Sequence, residues 1–268
     1  MKKIIVLWCL AAVLCLASCN IGTKRNEDTN SDSEMMDSTS KKKNMAKAEN
    51  LVIDAIKAHG GKQYDNAHYG FTFRKKDYTF LNNDSGFTYT VQHTKDGNEI
   101  TDILVNGKFS RILNGDTVEL SKKNIARYHE ALNSVVYFVL LPYKLSDQAV
   151  NKTYLGQMSI KDQPYEMVGV TFDKEGGGED YNDEFLYWIN TETKTIDYLA
   201  YNYETSDGGV RFRSAYNPMT VGGIRFQDYV NYEAPIDTPL RNLPRLYEKG
   251  ELKELSRIET RNIKDLYQ

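Results

Sequence analysis

The chain has 268 residues, with 34 Lys and Arg against 37 Asp and Glu, for a formal net charge of −3. That length supports one large β-type domain or two smaller ones, and the near balance of charge leaves no general basic field for nucleic acid. With 26% charged and 40% apolar residues the composition is globular, neither disordered nor that of a polytopic membrane protein, and tyrosine is frequent at 19 residues.

Residues 1–18 open with Met1-Lys2-Lys3 and continue through an apolar run from Ile4 to Cys15. A basic start before a short apolar stretch is the build of a secretory signal, shorter than the roughly 20 residues that a membrane-spanning helix needs. Its end, Leu16-Ala17-Ser18-Cys19, resembles the lipobox of bacterial lipoproteins. The resemblance implies cleavage before Cys19 and lipidation of its thiol, which makes the membrane a partner through Cys19 and the cell envelope the address. Asn20 stands where an Asp would imply retention at the inner membrane, so the outer membrane is the expectation. Cys9 and Cys15 would leave with the signal, and with them disulfide and thiol chemistry.

Residues 20–45 mix basic and acidic side chains with Ser, Thr and Asn and hold little to bury, which predicts a flexible tether reaching roughly 30 Å. A first helix is predicted over Ala46–His59, where Ala48, Leu51, Val52, Ala55, Ile56 and His59 form one stripe and Gly60-Gly61 supplies the stop. Strands follow over Ala67–Lys75, Gly86–Thr94, Glu99–Val105, Phe109–Leu113 and Thr117–Leu120. Two of the turns between them, Asn106-Gly107 and Asn114-Gly115, carry the residue pair that best accepts the positive φ of a tight hairpin.

The second helix is predicted from a cap at Ser121 to Pro142, with Ile125, Tyr128, Leu132, Val135, Val136 and Val139 at helical spacing. From Val135 to Leu141 it is apolar on every side. Seven such residues are too few to span a bilayer, so the segment needs protein or a hydrophobic ligand around it. It reads as a plug for a cavity.

Six more strands are predicted over Thr153–Ile160, Tyr165–Phe172, Glu184–Asn190, Ile196–Tyr203, Gly209–Tyr216 and Ile224–Tyr232. The acidic, Gly-rich segment Glu175–Asp180 reads as a solvated loop and not as a calcium site. Leu252, Leu255 and Ile258 fit a helix, while Leu255–Ile263 fits a closing strand equally well. The fold class expected is mainly β (α+β), a curved antiparallel sheet or open half-barrel of about 11 strands with two helices, the second plugging the concave face. The domains expected are the signal 1–18, the lipidated Cys and tether 19–45, and a single β domain 46–268.

The run Phe185-Leu186-Tyr187-Trp188-Ile189-Asn190-Thr191-Glu192-Thr193-Lys194, continuing through Ile196-Asp197-Tyr198-Leu199 to Gly209-Val210-Arg211-Phe212-Arg213, resembles the LolA/LolB-like lipoprotein-carrier superfamily. Leu140-Leu141-Pro142-Tyr143 and Glu175–Asp180 add a similarity to an uncharacterised family of Gram-negative lipoproteins placed near it. The resemblance implies an open antiparallel barrel with helices over a hydrophobic interior, which in that superfamily holds acyl chains or other apolar ligands. An anchored Cys19 fits a receptor, acceptor or sensor better than a soluble shuttle.

The candidate ligand-binding residues are Trp188, Tyr137, Phe138, Leu140 and Leu141 for an apolar ligand. Arg211 and Arg213 on one strand face, and Arg225 from the next strand, would either pair with acidic neighbours or hold a phosphate or carboxylate headgroup. His59, His68, His93 and His129 have no metal-ligand spacing, and no nucleophile motif is present, so no catalytic residue, metal or cofactor is expected. The leading reading is a non-enzymatic envelope lipoprotein that binds a lipid or other hydrophobic molecule. The alternative is an envelope enzyme or protein-assembly partner on the same fold, with no ligand cavity.

Overall fold

A computed structural model of the chain describes residues 28–175, 183–204 and 208–267. The expected signal peptide, the lipidated Cys19 and most of the Gly-rich segment Glu175–Asp180 lie outside the described residues. The chain divides into two units at Thr39/Ser40, and apart from the start of the first helix everything below concerns the second.

The first helix, α1 (Asp28–His59), starts well before the expected Ala46, so residues 28–45 are not coil from their first described position. Scarcity of apolar side chains argues against burial of that stretch, but its Lys, Met and Glu residues are good helix formers. Its last turns carry the expected stripe, with Ala48, Val52, Ala55 and His59 all buried.

Fourteen strands form two antiparallel sheets of seven, ordered β14-β1-β2-β3-β4-β5-β6 and β13-β12-β11-β10-β9-β8-β7. The first contains β1 (Ala67–Phe73), β2 (Lys76–Asn83), β3 (Gly86–Lys95), β4 (Asn98–Val105), β5 (Lys108–Leu113) and β6 (Asp116–Thr117). The second contains β7 (Val150–Ile160), β8 (Gln163–Phe172), β9 (Phe185–Asn190), β10 (Ile196–Tyr203), β11 (Gly209–Val221) and β12 (Ile224–Ala234). The C-terminus settles as strand: β13 (Lys253–Ile258) pairs with β12, and β14 (Arg261–Asp265) crosses to pair with β1. The final residues thereby tie the two sheets together.

Three strands exceed the expected eleven: β2, β13 and β14. The segment Ala67–Lys75 is not one strand running into a loop. It is β1 plus a two-residue turn at Arg74 and Lys75, both at positive φ (48° and 63°). Neither residue announces such a turn, so the hairpin into β2 is illegible locally. The Asn-Gly turns do form, with φ of 46° and 83° at Asn106-Gly107 and 51° and 94° at Asn114-Gly115. Asn106 adds a side-chain tie, accepting from the Phe87 amide at 2.7 Å and donating to the Ser85 carbonyl at 3.0 Å.

The second helix, α2 (Lys122–Val139), is capped by Ser121, whose side chain accepts from the Asn124 amide at 3.3 Å. It fills the space between the sheets, as the all-round apolar segment requires. Leu132, Val136 and Leu140 join Tyr69, Phe71, Tyr78, Phe80, Tyr89 and Leu104 of the first sheet. Tyr137, Phe138 and Leu141 pack with Val168, Phe185, Tyr187, Leu199 and Tyr229 of the second. A buried ion pair fixes one end. Arg111 grips Asp102 through both Nε and Nη2 at 2.6 and 2.8 Å, and its guanidinium lies 3.5 Å over the ring of Tyr128 from α2.

Every residue of β9 is buried, because both faces of the second sheet are covered. Phe185, Tyr187 and Ile189 face α1 and α2, while Leu186 and Trp188 face a third helix, α3 (Leu243–Glu248), and the segment after it. This short helix was not expected. Among the described residues no helix is long and apolar enough to cross a membrane.

Candidate functional site

A cleft of about 290 Å³ opens where α2 meets the second sheet. Val135, Phe138 and Val139 of α2 form one wall, and Phe73 and Arg74 of the β1–β2 turn close one end. Tyr201, Arg213, Gln227 and Tyr229 from three adjacent strands form the other wall, with Ile258 and Thr260 at the edge. Strand alternation explains the second wall. The register places Arg213 opposite Leu199 on β10 and Asn231 on β12, so these side chains and their i±2 neighbours share the inner face.

Arg213 is the electrostatic centre of this cleft, and only 7% of it is exposed. Its guanidinium lies 3.9 Å over the ring of Phe138, and Nη2 donates to the Tyr201 hydroxyl at 2.8 Å. Its Nε has no hydrogen-bond partner, and among the described residues no carboxylate pairs with it. Tyr229 accepts from Gln227 Nε2 at 2.8 Å, and burial holds its pKa above the usual phenol range. An aromatic and aliphatic cleft with one buried guanidinium, Arg213, and the exposed Arg74 at its end is suited to binding.

A second, larger hollow of about 580 Å³ lies on the other flank of α2, lined among others by Phe87, Tyr137, Lys144, Phe172 and Phe185. Ser134 and Phe138 line both hollows, so a single turn of α2 is the partition between them.

The expected site residues divide accordingly. Phe138 and Arg213 line the cleft, and Tyr137 lines the hollow across the helix. Leu140 and Leu141 are buried in the two sheet cores and serve packing instead of a ligand surface. Trp188 lies on the opposite face of its sheet, its Nε1 directed at Met158 Sδ at 2.9 Å and its ring 5.7 Å from Phe212. The strand alternates faces, and a buried residue on a two-sided sheet does not reveal which side holds the cavity.

Arg211 is spent on the Tyr203 hydroxyl at 2.5 Å and the Val210 carbonyl at 3.1 Å. Arg225 donates to Gln227 at 3.3 Å and is not in the lining. Arg211 stands across from Glu233 in the register, but among the described residues neither arginine makes a direct ion pair with a carboxylate. Tyr201, Gln227 and Tyr229 were not expected. The tyrosine excess is their only trace in the sequence, since it does not say which of 19 rings face inward.

Several comparisons bear on this fold. A family model described as a family of unknown function, DUF6503, matches residues 2–260. No curated protein matches the chain. Among solved structures it is similar to a LolA superfamily protein from Nitrosomonas europaea, with a TM-score of 0.47 and 9% identity over 81% of this chain and 92% of that one. It is also similar to a DUF1329 family protein from Desulfovibrio piger, with a TM-score of 0.40 and 11% identity over 82% and 93%. A third is the lipoprotein LppX from Mycobacterium tuberculosis, with a TM-score of 0.27 and 10% identity over 59% and 90%.

Proposed function

The chain belongs to the DUF6503 family, matched over residues 2–260, and for it we propose a non-enzymatic role as a lipid-anchored envelope protein that binds a hydrophobic ligand between α2 and the second sheet. The observation that carries this reading is the cleft itself. It is built on strands and a capped helix, walled by Phe73, Val135, Phe138, Val139, Tyr201 and Tyr229, and reached from solvent. At about 290 Å³ it lies at the small end of small-molecule sites and suits a segment of one acyl chain. The hollow across α2 provides space for a longer ligand if Phe138 turns aside. Anchoring rests on the lipobox at Cys19 and the preceding apolar run, and the outer membrane on Asn20.

Native mass spectrometry after mild detergent extraction tests the reading. The expected result is a population carrying copurified lipid-sized adducts, or uptake of added single-chain amphiphiles. A protein that is empty as isolated and takes up none of them would overturn it. Labelling with a radioactive fatty acid, compared between the native chain and Cys19→Ala, tests the anchor separately.

A further inference from the structure

We infer that the cleft selects amphiphiles by a single negative charge, an oxyanion headgroup held at Arg213 with its apolar tail along α2. This rests on the hydrophobic-ligand reading above and adds the chemical class of the head. The cleft presents an excess of donors. Arg213 is more than nine-tenths buried, its Nε–H points to no acceptor, and Tyr201 already takes one of its Nη2 protons. Both Tyr201 and Tyr229 accept through their oxygens, from Arg213 and Gln227, which leaves their own hydroxyl protons to donate. Neither proton has an acceptor among the described residues.

A buried guanidinium without a counter-charge is costly, and folded proteins normally neutralise it with a carboxylate. This protein does so elsewhere. Arg111 gives Asp102 the side-on fork of Nε and Nη2. Glu233 on β12, in register with Arg211 and two residues along from the partner of Arg213, is taken by Lys253 at 2.6 Å. Among the described residues no carboxylate completes the Arg213 fork, which leaves that place to an external anion.

Asn231, directly across from Arg213, donates to the Ser256 hydroxyl at 3.4 Å, and its buried Oδ1 has no partner. The single buried guanidinium and the neutral donors around it match one negative charge, which a fatty-acid carboxylate and a phosphodiester lipid both offer, with the exposed Arg74 at the end of the cleft.

The test is titration calorimetry on the full chain in mild non-ionic detergent, with two matched pairs. These are dodecanoate against 1-dodecanol, and dihexanoyl-phosphatidylglycerol against dihexanoyl-phosphatidylcholine. The expected result is that at least one anionic member binds about tenfold or more tighter than its neutral or zwitterionic partner, as a buried charge-assisted hydrogen bond allows. The pair that shows the preference identifies the source of the head. Arg213→Gln should abolish the preference, bringing the anionic member to the affinity of its neutral or zwitterionic partner. If that variant does not fold, Tyr229→Phe keeps the ring and should lower anion affinity severalfold, narrowing the preference over the neutral partner. Equal affinity within both pairs overturns the anion inference and leaves the hydrophobic cleft standing. Binding of none of the four overturns the cleft and the inference together. A preference unchanged in both variants also refutes the assignment to Arg213.

Discussion

Acidification probes how firmly the fold holds His59, at the C-terminal end of α1. The ring is 1% exposed, its Nε2 accepts from the Ile196 amide at 3.2 Å, and its Nδ1 has no partner. Burial, with a smaller push from the charge of Arg225, lowers its pKa from the usual 6.5 to about 3. The folded value therefore lies below the unfolded one. Between those two values the unfolded chain binds a proton that the native state refuses. The stabilisation is complete above pH 6.5 and is lost as pH falls towards 3. At about 1.4 kcal/mol for each pKa unit, going from pH 7 to pH 4 costs about 3 kcal/mol, a large share of the stability of a typical domain.

Carboxylates also titrate in the lower part of that range. Glu166, Glu233 and Glu259 are held below the usual value by hydrogen-bonding partners, and they lose stabilisation mainly below about pH 4.5. The contribution of His59 is therefore isolated by difference. Urea unfolding followed by circular dichroism at pH 7, 6, 5 and 4 should show a steep loss for the native chain. His59→Gln retains an oxygen to accept from Ile196 and has no proton to take up. It should be less stable at pH 7 and lose about 3 kcal/mol less over the same interval. Parallel curves for the two proteins would refute the argument and place the acid sensitivity elsewhere.

Other sites give independent checks. Removing one partner of the Asp102–Arg111 pair, as in Asp102→Ala, strands a largely buried guanidinium and should cost about 3 kcal/mol in urea unfolding, whereas a double replacement by apolar residues should cost less. Gly86 has φ of +113°, and a Cβ there would meet Asn106 Oδ1 at 2.1 Å. Gly86→Ala should therefore lower stability by more than about 1 kcal/mol, with Asn106→Ala/Gly86→Ala losing less than the sum of the single changes. In a Trp8→Phe chain Trp188 is the only tryptophan, and its buried place under α3 predicts blue-shifted emission that acrylamide barely quenches. Amphiphile binding in the cleft should leave that emission unmoved. A large change would place the ligand on the other face of the sheet.

Periodicity and turn chemistry were enough to read much of this protein from its residues. The stripe from Ala48 to His59, the Ser121 cap, the Asn-Gly hairpins and eleven strands are local signals, each set by a few neighbours. Even the plug was legible, because a helix segment apolar on all sides has to be enclosed. What stayed hidden depended on partners far away in the chain. The Arg74-Lys75 turn forms because β1 and β2 pair along their whole length, and the ambiguous C-terminus becomes strand because β12 and β1 each offer it an open edge.

The site shows the same division. Alternation along β9 told that Trp188 and Tyr187 face opposite ways, but the choice of face belongs to whatever packs there. The structure puts α2 against Tyr187 and α3 against Trp188. Three arginines were equal candidates by residue type. The arrangement of the strands gave Arg211 a tyrosine and a carbonyl, turned Arg225 to Gln227, and left only Arg213 buried in the cleft without a counter-charge. Composition and spacing fix which groups a chain possesses. Only tertiary packing decides which of them are sealed from water, and a charge acquires chemical purpose when that seal leaves it unpaired.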